Sequence, residues 1–443
     1  MYQESTVTGL RVAHMSDLHY CEANLAEADR CFGAAVDAAI DRNVAAAIIT
    51  GDSTDHALDA HEPAMLALMR QIKRLADHCP VLMLQGTFSH EPPGFLRVMS
   101  MIGAQHEIQV ADRIKQFVLT QEGYFVPSSD QLVVGDKLVV SALPTLNKAD
   151  LVAMTLDGDG QASQAKQIGE VLYGVLKGFA PLNQKARILG IPSMVISHGT
   201  VDMCETEHGV PMAGNDHELG VGALFSADAD AVALGHIHKH QSWNNGFAGK
   251  DFMQVIAYAG SIGRFHHGEL GDKGCLMWTI SPGNPHFELV STPTRKTVDI
   301  FFDGEPDLEV IKQRAQECVG AFVRVRYYFP EESRAAQHRE GIRALLEAAA
   351  GVQIEAKPLY VERQRAPGIS TANSVADKLV HWCEVTQTNP APLTERLGTL
   401  VNAEPGAIAQ EFMDKLLGRV ARPRAVAKQA EPAAEATASA QLF

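Results

Sequence analysis

The sequence predicts an α/β protein with a largely parallel central sheet, then a small α/β module, C-terminal helices and a tail. Three observations predict it. From Leu10 to Gln85, short apolar runs alternate with segments of helical spacing. Composition shifts near residue 292. Asp and His residues arrive one or two at a time directly behind the apolar runs. Strands aim their last residues at the crevice beyond the sheet, where ligands collect in open α/β folds.

Leu10 to Met15 reads as the first strand and ends in Ser16-Asp17. Asn24 to Arg42 has helical spacing, with Leu25, Ala28, Phe32, Ala35, Val36 and Ala39 on one face. Ala45 to Thr50 is a strand ending in Gly51-Asp52, and Pro63 opens a helix running to about His78. Val81 to Gln85 delivers Gly86-Thr87-Phe88-Ser89-His90. This alternation argues a largely parallel sheet. Leu132 to Ala142 holds two short strand-like runs split by Gly135-Asp136. Asp150 to Ala180 reads as an exposed, partly helical excursion, with Asp157-Gly158-Asp159-Gly160 as a solvated loop. Met194 to Ser197, Asp230 to Leu234, Phe252 to Tyr258 and Cys275 to Ile280 supply further strands.

These elements give a first domain over 1–292. An α/β module follows over 293–366, with strands at Thr297–Phe302, Phe322–Tyr328 and Val352–Tyr360 and helices between them. Residues 367–420 are helical, and the Ala-, Pro- and Glu-rich residues 421–443 form a disordered tail.

The 443 residues carry a formal net charge of −15, which counts against a broadly basic surface but leaves room for a small nucleic-acid footprint. No run approaches the ~20 apolar residues of a membrane span, and Met1 to Gly9 has no signal-peptide core. A cytoplasmic location without membrane association is expected. The seven cysteines are scattered with no C-x-x-C pair, as for reduced thiols.

The chemistry lies in five fragments. Asp17 and His19 are two apart, so on extended backbone both point to one side and suit a single metal. Asp52 follows a strand and a glycine, where a carboxylate can bridge two cations; Asp55 and His56 lie one turn further on, within reach of a bound water or phosphate. Ser89-His90 follows the third strand, and His198 ends another. In Gly235-His236-Ile237-His238 the two histidines share a face. Imidazole suits manganese, iron or zinc more than calcium. His14 reads as structural, and His240 as outside the ligand shell.

In this order, D-x-H, G-D, strand-end His, S-H and G-H-x-H, the residues resemble the calcineurin-like metallophosphoesterases. Tyr258-Ala259-Gly260-Ser261, Gly263-Arg264 and Gly271-Asp272-Lys273-Gly274 narrow the resemblance to SbcD-type nuclease subunits of SbcCD DNA repair complexes. It covers residues 10 to about 285; the following module is similar to the family's capping domain in element order.

The resemblance implies a four-layer α-β-β-α sandwich with a capping domain and two divalent metals. Manganese is expected first, with magnesium, iron and zinc as alternatives. Asp17, His19, Asp52 and His238 would hold one ion, and Asp52, His198 and His236 the other. His90 would be the catalytic histidine, and water activated by the cations the nucleophile. The family's Gly-Asn-His-Asp is replaced here by Gly86-Thr87-Phe88-Ser89-His90-Glu91, with extra residues and no asparagine. Ser89 is taken as the substitute ligand, with Thr87 or water as alternatives; Glu91 takes the place of the closing acid.

Tyr258, Ser261 and Arg264 are the candidates for DNA or phosphate binding, with Lys239, Arg324 and Arg326 as further cations. The stretch from Glu205 to Glu218 reads equally as a substrate-facing or a solvated loop. The C-terminal helices have apolar faces that would dock on an SbcC-like SMC-type ATPase, or else on their own domain. The expected function is metal-dependent DNA exonuclease and endonuclease activity in double-strand-break repair or end processing, with DNA ends or single strands and that ATPase as partners and a homodimer possible. The alternatives are a phosphodiesterase of nucleotides or small esters, and a weakly active DNA-end-binding scaffold for the ATPase.

Overall fold

Leu10–Met15 (β1), Ala46–Ile49 (β2), Val81–Leu84 (β3) and Ile108–Ala111 (β4) pair in parallel, each with the next. Parallel neighbours cannot be joined by a tight turn, so the first two connections carry helices, Leu25–Asp41 (α1) and Pro63–Ala76 (α2). Antiparallel strands Gly274–Ser281 (β12) and Asn284–Ser291 (β13) extend this sheet to the order β13-β12-β1-β2-β3-β4. The computed structural model describes residues 9–128, 131–146, 161–205, 219–246, 252–269, 271–330, 336–359 and 369–416.

A second, seven-stranded sheet contains Lys115–Leu119 (β5), Phe125–Pro127 (β6), Leu138–Leu143 (β7), Ser193–His198 (β8), Ala231–Gly235 (β9), Gln241–Asn244 (β10) and Val255–Tyr258 (β11). Its order is β10-β11-β9-β8-β7-β5-β6. The protein is thus a mixed α/β fold with several sheets.

Side-chain alternation along the strands divides the core. In β2, Ala46 and Ile48 join Leu82, Val140, Met194, Ile196 and Trp278 in a cluster shared by the two sheets. Ala47 and Ile49 point the other way and pack with Phe32, Val36, Leu68 and Ile72 of the first two helices. On the second sheet, Val195, Val232 and Ile256 pack with Leu172, Leu176 and Phe179 of the helix Gln161–Ile188 (α3). Each buried Leu or Phe contributes about 1.5–3 kcal/mol.

That helix corrects one expectation. Its 28 residues form a continuous element with Leu172, Leu176, Phe179, Leu182 and Ala186 buried, not an exposed excursion. The Asp157-Gly158-Asp159-Gly160 loop lies outside the described residues. A second correction concerns Leu132 to Ala142, where only Leu138 onward is strand. Gly135, at φ +108°, turns the chain, and the Val133 amide donates to Asp136 Oδ2 at 2.8 Å.

Thr297–Phe302 (β14), Phe322–Pro330 (β15) and Gly351–Leu359 (β16) form a third, all-parallel sheet. After the short helix Val221–Phe225 (α4), the helices Leu308–Arg314 (α5) and Ala336–Leu345 (α6) connect these strands. Val323, Val325 and Tyr327 are buried with Ile311 and Ile342, while Arg324 and Arg326 alternate to the other face and pair with Asp299.

The chain divides into two compact units, 1–359 and 360–443. The second holds Val375–Thr386 (α7), Ala391–Asn402 (α8) and Pro405–Leu416 (α9). The Ser374 hydroxyl caps α7 by accepting from the Asp377 amide at 3.0 Å. The tail expected beyond 420 lies outside the described residues. Among these, no helix is long and apolar enough to cross a membrane, and all seven cysteines are free and buried.

Candidate metal centre

The ligand-type residues sit just beyond the ends of five strands. Parallel pairing of β8 with β9 sets His198 opposite Gly235. The turns after β1 and β2 interlock: the amides of Asp17 and His19 donate to the carbonyls of Gly51 and Asp52, each at 3.1 Å. Asp17, His19, Asp52 and His236 all adopt positive φ, between +46° and +99°. Left-handed backbone at non-glycine residues costs of order 1–3 kcal/mol each and clusters at functional sites. Close packing explains the glycines. A Cβ on Gly235 would collide with the Thr50 carbonyl and the Ser16 hydroxyl, and one on Gly86 with Asp52.

Four groups of potential donors result among the described residues, His19-Asp55-His90 and His238-His266-Glu269 among them, and the other two gather the expected ligands. Asp17, His19 and His238 form one, and Asp52, His198 and His236 the other, with the ligand atoms of each group within 4.8 Å of one another. In the first, His19 Nε2 and His238 Nε2 face each other at 2.9 Å, with Asp17 Oδ1 at 4.0 Å and 3.9 Å from them. His238 Nδ1 donates to Glu269 Oε1 at 2.8 Å, so its Nε2 presents a lone pair to that shared space. Two imidazole nitrogens and a buried carboxylate turned toward one point fit a divalent cation.

The second group has the same logic. His198 Nδ1 donates to the Thr50 carbonyl at 2.7 Å, which leaves Nε2 facing Asp52 Oδ2 at 3.2 Å. Burial works against a charged His198, but Asp52 outweighs it and lifts the imidazole to about 9. Burial alone would raise the Asp52 carboxyl; His198, with His19 and His90, instead holds it well below the usual carboxylate range. A cation held there would take the place of a proton on His198, so loading would release protons.

His90 lies beside both groups. Its Nδ1 donates to the Asp55 carbonyl at 2.6 Å, and its ring meets His19 edge-on at 5.1 Å. Asp55 Oδ1 is 3.4 Å from His19 Nδ1, so this acid supports a ligand and the His90 loop together. His56 faces Asp55 at 3.7 Å from the outer side. Glu91 is fully buried and accepts from the amides of Ser53 and Gly86 at 2.6 and 2.7 Å, tying the loop after β3 to the loop after β2.

Four of the expected site residues are placed as follows. Ser89 is exposed and bonds neither Asp52 nor His198. Thr87 stands there instead: its amide donates to Asp52 Oδ1 at 2.6 Å, and its hydroxyl is 3.1 Å from Asp52 Oδ2 and 3.2 Å from His198 Nε2. Phe88 and Ser89 stand between Thr87 and His90 on this loop. Tyr258 is fully buried, and its hydroxyl donates to the Gly199 carbonyl at 2.6 Å. Ser261 is fully buried and donates to the Gly263 carbonyl at 2.9 Å. Arg264 donates to the carbonyls of Arg295 and Gly271 at 2.7 and 3.0 Å, binding the chain to itself. Tyr258 and Ser261 thus turn their hydroxyls to backbone carbonyls, whereas Arg264 is only partly buried and lines a separate cleft with Lys296 and Arg314. Lys239 is paired with Glu205 at 2.6 Å. His14 is buried against the Thr50 hydroxyl, and His240 bonds the Tyr258 carbonyl, both outside the donor groups.

Glu269 was not anticipated from the sequence. It is 2 % exposed, accepts from His238 and from the Phe265 amide, and lies 3.4 Å from the buried Lys273 ammonium. Lys273 Nζ also donates to the His238 carbonyl at 2.8 Å. Burial favours a neutral Glu269, but His238 and Lys273 outweigh it and pull the carboxyl down to about 2. A carboxylate behind a ligating histidine fixes its tautomer. Glu269→Ala is therefore expected to weaken metal binding by about 10–100-fold, and Glu269→Gln by less. Calorimetric titration with manganese checks this; unchanged affinity would show that Glu269 does not orient His238.

No family model matches the sequence, and no curated protein matches it. Among solved structures, the chain is similar to a dimetal phosphatase from Danio rerio. The identity is 11 %, the TM-score 0.38, and the match covers 64 % of this chain and 100 % of that one.

Proposed function

We propose that this protein is a metal-dependent hydrolase of phosphodiesters, organised as a four-layer metallophosphoesterase sandwich with two divalent cations, manganese first. The observation that carries this reading is the pair of Asp/His donor groups at the strand ends. Asp17, His19 and His238 would hold one cation, and Asp52, His198 and His236 the other, with Asp52 the candidate bridge. Bound there, the pair supplies Lewis acidity and lowers the pKa of water to near neutrality.

The chain's own residues do the rest. His90, held through Nδ1 by the Asp55 carbonyl, keeps Nε2 for the phosphate or the leaving oxygen. Thr87 holds the Asp52 carboxylate by its amide and hydroxyl. Glu269 and Lys273 hold His238.

The finer reading is a DNA exonuclease and endonuclease working with an SbcC-like ATPase. Its support is the sequence run from Tyr258 to Gly274. A second reading, hydrolysis of nucleotides or small phosphodiesters, is favoured by the buried, carbonyl-bonded Tyr258 and Ser261 and by the net charge of −15. Purified protein with manganese should be assayed on linear duplex DNA, single-stranded DNA, cyclic nucleotides and bis-p-nitrophenyl phosphate. DNA cleavage, alone or with the ATPase, is the expected result. Turnover of the small esters alone would favour the second reading, and no turnover of any substrate would remove both.

A further inference from the structure

Beside His198 and His236 opens a cleft of about 380 Å³ whose walls are largely apolar. Phe88, Leu146, Leu172 and Leu219 line it, and no lysine, arginine, aspartate or glutamate does so among the described residues. The two leucines Leu172 and Leu219 belong to the core behind the second sheet and form a fixed wall. Phe88 is different. It is partly buried, yet it joins none of the interior apolar clusters formed by the described residues. It stands on the loop between Thr87, which holds Asp52, and His90. An aromatic ring kept at the edge of a charged centre, outside any core, is placed to meet a ligand.

We propose that this cleft is a subsite for the nucleobase of a nucleotidyl phosphoester, with Phe88 as its stacking platform. The proposal rests on the hydrolase reading for the position of the phosphate, over the donor groups. A phosphate there, beside His198 and His236, leaves the attached nucleoside next to the cleft. Among the described residues the lining has no lysine or arginine for a second phosphate, and its volume lies in the range of small-ligand pockets. Every base has a flat apolar face, so stacking on Phe88 selects for a ring without reading its identity. Phe88 and Ser89 are the residues by which this loop exceeds the Gly-Asn-His-Asp pattern, and both line the cleft. These two residues thus supply a specificity element.

The test compares thymidine 5′-p-nitrophenyl phosphate with methyl p-nitrophenyl phosphate, which share a leaving group and differ in the retained one. In parallel, binding of thymidine 5′-monophosphate and methyl phosphate is titrated with manganese present, independently of turnover. The parent should prefer the thymidine compound in both assays. Phe88→Ala should reduce that preference roughly 10-fold, and Phe88→Trp should restore it. Preference in binding without turnover of either ester would uphold the subsite and sink the hydrolase reading. No preference in the parent, or a preference that survives Phe88→Ala, would overturn the subsite whether or not the esters are cleaved. A single-stranded oligothymidylate titrated alongside identifies the source: the tighter ligand tells a polymer end from a free nucleotide.

Discussion

Replacing His90 with alanine is expected to lower turnover by about 10²–10⁴-fold while the protein still binds two metals. The separation of the two effects follows from geometry. His90 is held by a backbone carbonyl through Nδ1 and belongs to neither of the two principal donor groups. It does approach His19 and Asp55 closely enough to form a third potential donor set with them. The alternative is therefore specific: if His90 helps hold a cation, the alanine variant loses a metal along with its activity. Steady-state kinetics paired with metal analysis of the same sample distinguishes the outcomes. Full activity in the variant would mean that another group acts on the leaving oxygen.

Asp52→Asn should be more damaging to metal binding. Asp52 is 2 % exposed and takes an amide and a hydroxyl from Thr87 while facing His198. The amide side chain keeps the volume and removes the charge. With no carboxylate opposite His198, the second group retains two imidazoles and no anion. Loss of a partner behind a ligand typically costs 10–100-fold in affinity, and loss of the ligand's own charge should exceed about 100-fold. Titration with manganese should then show the second site lost or weakened more than about 100-fold and the first weakened to a lesser degree, against two strong sites in the parent. Two undiminished sites would remove Asp52 from the centre.

Much of this centre was legible in the sequence because strand geometry imposes it. A short apolar run predicts a strand, and the polar residues behind it must emerge at the sheet edge. Asp17, His19, Asp52, His198, His236 and His238 were found this way, and they converge in two groups. The support residues were not legible. Glu269 lies 31 residues from the histidine it orients, in a segment with no strand signal. Ser89 and Thr87 both offer a hydroxyl in the sequence, and only the bend of the loop shows that Thr87, the one nearer β3, reaches Asp52.

Arg264 misled for a related reason: a cation in a glycine-rich run reads as exposed until its carbonyl partners are known. In the fold, Asn284–Ser291 escaped notice because it is a partly exposed edge strand with Pro285 inside it. The stripe Leu172, Leu176, Phe179 in α3 is diluted by Gly174, Lys177 and Gly178 between its members.

The most direct measurement is anomalous diffraction from crystals soaked in manganese. Two peaks should appear, one among Asp17, His19 and His238 and the other among Asp52, His198 and His236. A soaked crystal with no peak at either position, or with manganese bound only elsewhere, would contradict the two-metal centre from which the proposed chemistry follows.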